Sequence, residues 1–508
     1  MAKDRLTEVL ERYEAVIGLE IHTELTALNS KMFCGCPVEF GGEPNTRVCP
    51  VCLGLPGALP VPNEAAVEAT VLAGLALDCE IARFSQFHRK QYFYPDMPKD
   101  YQISQYDLPF CGLGYLDIEI DADGAAQRVD LDGGAYATRI GITRIHLEED
   151  TGKMIHVGGA EGRISGADHS LVDFNRAGTP LMELVTEPDI RTPEEARRFA
   201  QKLRLIMLNL GVSDCSMEEG SMRVDGNVSV RLRGKTGLGT KTEVKNMNSF
   251  RALHDALAYE IVRQADVLDE GGRIVQETRH WDVGAKRTST LRSKEEAHDY
   301  RYFPEPDMVP FEFTSEWIES IRARLPELPD ARRERFMLEF GLSRSDARAL
   351  SEDADFAGYF EEAVAIAGVV LAKPLANWAL GEFSAYLNAG SVAVSEAKVT
   401  PAMLAELVEL IDAGTISGKQ AKAVFAEMVA SGDAPGGIVE LRGMKQVSDV
   451  GAIEAAVDRV IAASPDEVAE YRSGKTALLG WFVGQVMREM RGQGNPALVN
   501  EILVKKMG

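Results

Sequence analysis

The sequence predicts an α+β protein in which a mostly antiparallel-sheet domain is followed by an all-α helical domain and a small all-α tail domain. With 508 residues the chain is too long for one hydrophobic core, and about three domains are expected. Up to about residue 310, alternating strand patterns, turns and isolated helices follow one another. After residue 311 the strand patterns cease and apolar residues recur at helical spacing.

Changes of pattern set the expected domain boundaries. Residues 1–310 form the candidate catalytic domain, which includes a cysteine-rich knuckle at 34–52. Residues 311–399 read as a helical domain punctuated by prolines. The Thr400-Pro401 pair starts a new helix, so residues 400–508 are expected to form a separate tail.

Two helices of the first domain have clear start signals. Thr192 is a good N-cap, Pro193 takes the first helical position, and Glu195 completes a capping box. Gly211 is expected to end this helix. Ser249 is placed to open the second one.

Composition excludes some classes of protein. Of the residues, 45% are hydrophobic and 26% charged, as in globular proteins, and no apolar run approaches the ~20 residues that span a bilayer. We therefore expect a cytoplasmic chain without a membrane segment. The net charge of -23 argues against a general polyanion-binding surface. The segment 472–508 reverses this balance, with six basic and two acidic residues, and is either a polyanion contact or an ordinary solvated helical face.

The first candidate site is a strand near the start of the chain. Apolar and polar residues alternate from 17 to 25, so Glu20, His22 and Glu24 share one strand face. Two carboxylates flanking an imidazole can bind a divalent cation. The alternative is the solvated outer face of an amphipathic strand.

Two further acids lie where charge needs a partner. Glu149 continues the apolar stripe of its strand, and Glu183 lies in the apolar run 180–185. A charge in such a place requires a cation or a hydrogen-bond donor. Oxygen ligands of this kind suit Mg²⁺. The alternative is a salt bridge to an arginine such as Arg144 or Arg176.

Two later strands mix acidic and basic side chains, as a phosphate and its metal would require. The first strand, 222–231, carries on one side Arg223, Asp225, Asn227 and Arg231. The second carries on one face Lys241, Glu243 and Lys245. The alternative is an exposed ladder of ion pairs between strands.

Two loops rich in aromatic residues and proline, 92–102 and 299–307, can wall a nucleotide or stack on a terminal base. They can equally be local packing around the prolines. Arg89 and Lys90, just before the first loop, are candidate phosphate contacts.

Four cysteines within nineteen residues predict a structural zinc site. Cys34 and Cys36 are followed, after twelve residues, by Cys49 and Cys52. Paired cysteines on either side of a short loop provide the four sulfurs of a closed tetrahedral zinc site. Unligated thiols are the alternative.

Other patterns argue against particular enzyme classes. Gly474-Lys475-Thr476 looks like the end of a Walker A motif, but Ala469 occupies the place of the first glycine. No Gly-x-Ser-x-Gly elbow occurs, and Ala2 follows Met1 where an N-terminal-nucleophile glutaminase has cysteine. We therefore expect that this chain does not itself release ammonia from an amide.

Taken together, these stretches resemble the B subunits of the aspartyl/glutamyl-tRNA(Asn/Gln) amidotransferases. The resemblance rests on seven ordered blocks, 16–25, 90–96, 101–105, 146–150, 178–183, 217–221 and 299–307. It implies a cradle-shaped catalytic domain, a helical domain and a tail that binds tRNA. It also implies that ATP phosphorylates the side-chain carboxylate of Glu or Asp misattached to tRNA, and that ammonia then displaces phosphate.

The resemblance also assigns roles to residues at matching positions. The Mg²⁺-site residues are then Glu20, His22, Glu149 and Glu183, with Glu148, Glu218 and Glu219 as further candidates. The residues near the nucleotide and the acyl phosphate are Lys90, Asp225, Lys241 and Glu243. The four knuckle cysteines place the chain among the zinc-containing members of the family.

The implied partners are an amidase-type A subunit that supplies ammonia, a small C subunit that completes a heterotrimer, and misacylated tRNA. Two other functions stay open: a non-catalytic tRNA-binding scaffold, and an ATP-dependent ligase acting on a small free substrate. The sequence also leaves open whether Glu-tRNA, Asp-tRNA or both are used.

Overall fold

The computed structural model describes residues 2–39, 41–125, 134–158, 166–293, 300–444, 450–490 and 494–508. Asp299 of the second aromatic loop and Arg491 of the basic tail segment lie outside these ranges. The chain divides into two compact units, Met1–Leu328 and Pro329–Gly508. The first unit contains the described strands and the second is helical. The predicted α+β class is therefore confirmed.

A large sheet organises the first unit. The strands of this unit are β1 (Tyr13–Glu24), β2 (Phe84–Ser85), β3 (His88–Gln91), β4 (Tyr101–Ser104), β5 (Gly114–Ile120), β6 (Tyr136–Glu149), β7 (Lys153–Val157), β8 (His169–Asp173), β9 (Pro180–Thr186), β10 (Met222–Leu232), β11 (Thr242–Lys245), β12 (Glu277–Asp282), β13 (Arg287–Ser293), β14 (Phe303–Pro304) and β15 (Phe311–Glu312). Eight of them form one sheet in the order β13-β12-β11-β10-β1-β9-β6-β5. Its neighbouring strands are antiparallel except for the parallel pair β11 and β12. Smaller sheets join β14-β3-β4, β15-β2 and β7-β8.

The helices of this unit are α1 (Ala2–Arg12), α2 (Glu64–Ala76), α3 (Ala122–Ala125), α4 (Pro193–Asn209), α5 (Phe250–Asp269) and α6 (Ser315–Arg322). Both helices predicted from capping signals are present. Thr192 accepts a hydrogen bond from Glu195 N at 3.1 Å, and Gly211 follows the helix with φ +65°. In a capping box the side chain of Glu195 would accept from the backbone N–H of the N-cap, Thr192. Here a carboxylate oxygen of Glu195 accepts instead from Arg191 N, one residue earlier, at 2.7 Å. Ser249 caps α5 as predicted.

The alternation predicted for β1 sets the two faces of the sheet. Ile17, Leu19 and Ile21 are buried in one apolar cluster together with residues of α4 and α5 such as Phe199 and Leu257. Glu20, His22 and Glu24 alternate with these residues, point to the opposite face and stay partly exposed. The sheet therefore has an apolar face under helices and a polar face that carries the candidate site.

The second unit contains α7 (Pro329–Phe340), α8 (Arg344–Ser351), α9 (Ala354–Ala367), α10 (Ala372–Trp378), α11 (Ser384–Gly390), α12 (Pro401–Asp412), α13 (Gly418–Ser431), α14 (Pro435–Leu441), α15 (Val450–Ala463), α16 (Pro465–Arg472), α17 (Leu478–Glu489) and α18 (Pro496–Met507). Short 3₁₀ turns occur at Val369–Leu371 and Val394–Glu396, and a π turn at Ala379–Phe383. None of the described helices is long and apolar enough to cross a bilayer.

Two apolar clusters occupy this helical unit. The first extends from Phe336 to Val439, and the second from Ile453 to Met507. Because α9 packs against α12, the first cluster spans the boundary expected between residues 399 and 400. The division into three domains stays a prediction.

Candidate active site

Three neighbouring strands bring acidic and imidazole side chains together on the polar face of the large sheet. His22 on β1 and His146 on β6 both stand opposite Glu183, because β9 pairs with both strands. Glu183 Oε2 lies 3.3 Å from His22 Nε2 and 3.5 Å from His146 Nε2. The carboxylate of Glu183 is therefore held between two imidazole rings.

Glu148 completes this group from β6. It lies two residues beyond His146 and so faces the same side of the strand. Its Oε1 is 3.9 Å from His22 Nε2, and its Oε2 is 3.7 Å from His146 Nε2. Ser104 Oγ donates to Oε2 at 3.0 Å. His22, Glu148 and Glu183 each offer a ligand atom within 4.8 Å of the others, as a metal site requires.

A second group shares His22. Glu20 stands opposite Asp225 in the β1–β10 register, and the ligand atoms of Glu20, His22 and Asp225 lie within 4.8 Å of one another. Asp225 is also in contact with Lys245 Nζ. The two groups together form a continuous acidic surface with an imidazole at its centre.

Burial and charge compete at these residues. Burial, reinforced by Glu183, raises the pKa of Glu20. Burial opposes the charged form of His22, but Glu183, Glu20 and Glu148 outweigh it and raise the pKa of His22 to about 9. Burial likewise disfavours the carboxylate of Glu183, yet His146 and His22 lower the pKa of Glu183. Positive charge therefore stabilises these carboxylates. The protonated imidazole of His22 provides it here, and a divalent cation that displaces this proton would provide it as well.

Lys90 on β3 adds a cation to this group. Burial opposes its charge, but Glu148, Tyr302 and Glu183 outweigh burial and raise the pKa of Lys90. Its Nζ lies 4.9 Å from the centroid of the Tyr300 ring. The second aromatic loop therefore contributes Tyr300 and Tyr302 to the surroundings of Lys90, a predicted phosphate contact.

The structure does not bring Glu149 to this group. Its carboxylate contacts Lys99 Nζ and accepts from Ile103 N at 3.0 Å. Glu149 faces the side of β6 that carries Leu147, as its apolar stripe predicted, and Lys99 provides the cation that such a place requires. Glu148 takes the position beside His22 that we expected for Glu149.

The arginine alternative applies to Glu183, through Arg144, and also to Glu24, through Arg176. Glu24, predicted to flank His22, accepts from Arg176 at 2.9 Å, and Arg176 also contacts Asp150. Arg144, the other arginine considered, has its Nη2 3.8 Å from Glu183 Oε1. Glu24 thus belongs to an ion-pair cluster beside the His22 group.

The expected lysine–glutamate face of β11 is present in part. Lys241 is exposed and precedes the strand, which begins at Thr242. Glu243 is buried, accepts from Thr278 Oγ1 at 2.7 Å and lies 3.5 Å from Lys245 Nζ. Lys245 is therefore the lysine of this face that reaches Asp225.

Sequence reasoning overlooked His146 and Ser104. His146 could have been found, because it is two residues before Glu148 on one strand, the same spacing that singled out Glu20 and His22. Ser104 lies on β4, which pairs with β3 in a separate small sheet. No local pattern in the sequence points to that contact.

The four knuckle cysteines come together as predicted. The sulfurs of Cys34, Cys36, Cys49 and Cys52 all lie within 4.8 Å of one another. Cys49 N donates to Cys52 Sγ at 3.1 Å, and Lys31 Nζ lies 3.7 Å from the same sulfur. The hydrogen bond with Cys34 and the donors at Cys49 and Lys31 outweigh burial and lower the pKa of Cys52 to about 4. Burial raises the pKa of Cys36 to about 11, and the hydrogen bond with Cys52 raises that of Cys34. Four sulfurs placed this closely fit a tetrahedral metal ion, which would stabilise their thiolate forms.

Comparison with known proteins gives matches along nearly the whole chain. Residues 15–319 match a family model described as the GatB/GatE catalytic domain, and residues 358–507 match one described as the GatB domain. Similar proteins are named as B subunits of aspartyl/glutamyl-tRNA(Asn/Gln) amidotransferases. The one from Carboxydothermus hydrogenoformans is 53% identical over 498 residues, which cover 98% of this chain and 99% of the relative. The one from Geotalea uraniireducens is 53% identical over 497 residues, which cover 98% of this chain and 99% of the relative. The one from Moorella thermoacetica is 53% identical over 495 residues, which cover 97% of this chain and 100% of the relative.

Proposed function

Because this chain belongs to the family of aspartyl/glutamyl-tRNA(Asn/Gln) amidotransferase B subunits, we propose that the polar face of its large sheet is where ATP activates a carboxylate on tRNA. The carboxylate is the side chain of Glu or Asp misattached to tRNA(Gln) or tRNA(Asn). One observation carries this proposal: carboxylates from four adjacent strands surround His22 beside the lysine Lys90. The carboxylates can bind the divalent cation, and the lysine can bind the phosphate oxygens, that phosphoryl transfer requires.

The reaction has two steps. The γ-phosphoryl group of ATP is transferred to the side-chain carboxylate, giving ADP and an acyl phosphate. Ammonia then forms a C–N bond as the C–O bond to phosphate breaks, and one proton of ammonia goes to the phosphate. Phosphorylation is needed because phosphate leaves readily, whereas a free carboxylate resists attack by ammonia.

The acidic residues fit Mg²⁺. Carboxylate oxygens are the ligands that this ion prefers, and the residues that would hold it are Glu20, His22, Glu148, Glu183 and Asp225. The bound ion would offset the negative charge of the phosphate oxygens. Glu149 was also assigned to this set by position, and its part in metal binding stays a prediction. Because the carboxylate of Glu149 is paired with Lys99, we propose Glu148 as the metal ligand from this strand.

Basic residues beside the acidic group would bind the phosphates. Lys90 is half-buried beside Glu148 and Glu183, so its ammonium can hold a phosphoryl group during transfer. Lys245 is held by Asp225 and Glu243 at the other end of the group. Glu243 would act by positioning Lys245. A nucleotide contact by Lys241, which precedes β11, is part of the same proposal.

We further propose that the four knuckle cysteines bind a structural zinc ion. Their sulfurs are close enough to share one ion, and no fifth ligand is needed in a closed four-sulfur site. One zinc per chain in the purified protein is the expected result of elemental analysis.

The partners follow from the family. An amidase-type A subunit would supply ammonia, and a small C subunit would complete a heterotrimer. The tail, which includes α17 and α18, would contact tRNA through its basic residues. Three of those cations are engaged within the tail: Arg472 with Met507 O, Lys475 with Glu470, and Lys506 with Asp458.

The decisive experiment is ATP-dependent amide formation by the reconstituted complex, with Glu-tRNA(Gln) and Asp-tRNA(Asn) tested separately. Glu20→Gln removes a carboxylate from the group around His22, and we expect activity to fall at least 100-fold.

Glu14→Gln is the matched control. Glu14 lies on the same face of the same strand, but its carboxylate pairs with Arg231 and Arg191. We expect activity within twofold of the wild type. Full activity of Glu20→Gln would favour the scaffold function instead, and ATP hydrolysis without charged tRNA would favour a small-substrate ligase.

A further inference from the structure

Lys31 is among the largest fully buried side chains of the molecule, with 1% of its surface exposed. Lysine is rarely buried unless its charge is paired. Its Nζ donates to Phe174 O at 3.1 Å and lies 3.7 Å from Cys52 Sγ. Among the residues that the structure describes, Lys31 makes no ion pair with a carboxylate. The potentially anionic side chain that this ammonium contacts is therefore that of Cys52.

The chain is arranged so that Lys31 points at the knuckle. Its backbone N donates to Cys36 O at 2.9 Å, so both ends of the residue contact the cysteine segment. Gly178, with φ +89°, passes directly over the lysine side chain. A Cβ at Gly178 would lie 3.3 Å from Lys31 Cδ and 3.8 Å from Cys52 Cβ. The glycine thus provides the space in which the lysine reaches Cys52.

Charge balance explains this arrangement. Zn²⁺ with four thiolates carries a net charge of about -2, which is costly to bury. The N–H of Cys49 donates to Cys52 Sγ and offsets part of that charge. A buried ammonium beside the same sulfur offsets one full unit of negative charge.

We propose that Lys31 is a positioning residue of the cysteine site: its positive charge stabilises the four-thiolate form and so retains the zinc ion. The inference rests on the zinc occupancy proposed above. Residues next to a metal's own ligands commonly change affinity by ~10–100-fold. Lys31 would act through Cys52, without contacting the metal.

The test compares full-length variants that separate charge from hydrogen bonding. Lys31→Gln keeps a donor for Phe174 O and removes the charge, whereas Lys31→Arg keeps the charge. Lys31→Met is a second neutral variant with a side chain of similar length, in case Lys31→Gln does not fold. Lys202→Gln is the control, because Lys202 also donates to a backbone carbonyl, that of Asp117, in a different part of the unit.

Zinc content is measured first, followed by the rate of zinc release to a chelator. We expect Lys31→Gln and Lys31→Met to release zinc ~10–100-fold faster than the wild type, and Lys31→Arg and Lys202→Gln to stay within threefold. After replacement of zinc by Co²⁺, the neutral variants should show a sulfur-to-cobalt charge-transfer band shifted to lower energy. Loss of a nearby positive charge raises the energy of the sulfur electrons.

The outcomes are distinct. Wild-type protein without stoichiometric zinc overturns the zinc proposal and this inference with it. Zinc-loaded wild type with unchanged release from the neutral variants overturns the inference alone. A third outcome is that Lys31→Arg also releases zinc quickly and that the cobalt band is unshifted in every variant. Lys31 would then have a packing role, and the inference would again be overturned.

Discussion

Replacing Glu148 with glutamine removes one negative charge from the group around His22 and keeps the shape of the side chain. The carboxylate oxygens of Glu148 lie 3.9 Å from His22 Nε2 and 3.7 Å from His146 Nε2. With an effective dielectric constant of ~20, a unit charge at ~4 Å attracts a cation by ~4 kcal/mol. Water and the new amide group offset part of this lost attraction. We expect a net loss of ~3 kcal/mol, which is about 100-fold in affinity for a divalent cation.

Glu149→Gln is the matched variant, one residue further along the same strand. Glu149 and Lys99 form an ion pair in which 3% and 6% of the side chains are exposed. Removing one partner leaves the other charge buried, and such changes cost ~3–5 kcal/mol of the free energy of unfolding. We therefore expect Glu149→Gln to lower stability while its divalent affinity changes less than threefold.

Two measurements separate the variants. Titration calorimetry with Mn²⁺ in place of Mg²⁺ gives the divalent affinity, and urea unfolding gives the stability. The reasoning fails if Glu149→Gln weakens Mn²⁺ binding as much as Glu148→Gln does, because the metal group would then include Glu149.

Three further predictions use other parts of the first unit. Burial disfavours the carboxylate of Glu260, but Arg263 outweighs it and lowers the pKa of Glu260. Its stabilising effect is thus present above about pH 5 and is lost as the pH falls through the lowered pKa. Glu260→Gln should cost ~2 kcal/mol at pH 7 and less at pH 4, and an equal cost at both values in urea unfolding would contradict this. Thr192→Ala should cost ~1 kcal/mol through loss of the cap on α4, whereas no change in the urea midpoint would show that the cap adds nothing. Chelation of zinc should expose residues 34–52 to protease, as mapped by mass spectrometry, and unchanged cleavage would argue against a structural metal.

Local patterns were enough to predict the parts of the site that depend on one element. The alternation in β1 placed Glu20 and His22 on a common face, and this follows from strand geometry alone. The capping signals at Thr192 and Ser249 located α4 and α5 for a similar reason, since a cap binds backbone within its own first turn. Cysteine spacing predicted the meeting of the four sulfurs because the knuckle closes on itself.

Contacts between distant segments could not be predicted in this way. The sequence pattern put Glu149 on an apolar stripe correctly, but did not reveal that Lys99 from a distant loop would meet it. The choice between Glu148 and Glu149 then depended on which side chains of β6 lie on the same face of the sheet as Glu183, and the register of β6 with β9 shifts between Ile142 and Arg144. Strand register is a property of the assembled sheet, and no single segment encodes it.

The central place of β1 in the large sheet has a consequence for synthesis. β1 ends at Glu24 and is synthesised well before its two partners in the sheet, β9 and β10, the later of which ends at Leu232. At typical elongation rates of ~5–20 residues per second, β1 waits ~10–40 s for both neighbours. During that interval its apolar face, which includes Ile17, Leu19 and Ile21, is open to other nascent chains. A chaperone that shields this strand would therefore matter for the yield of folded protein, whereas the finished protein would have no further need of it.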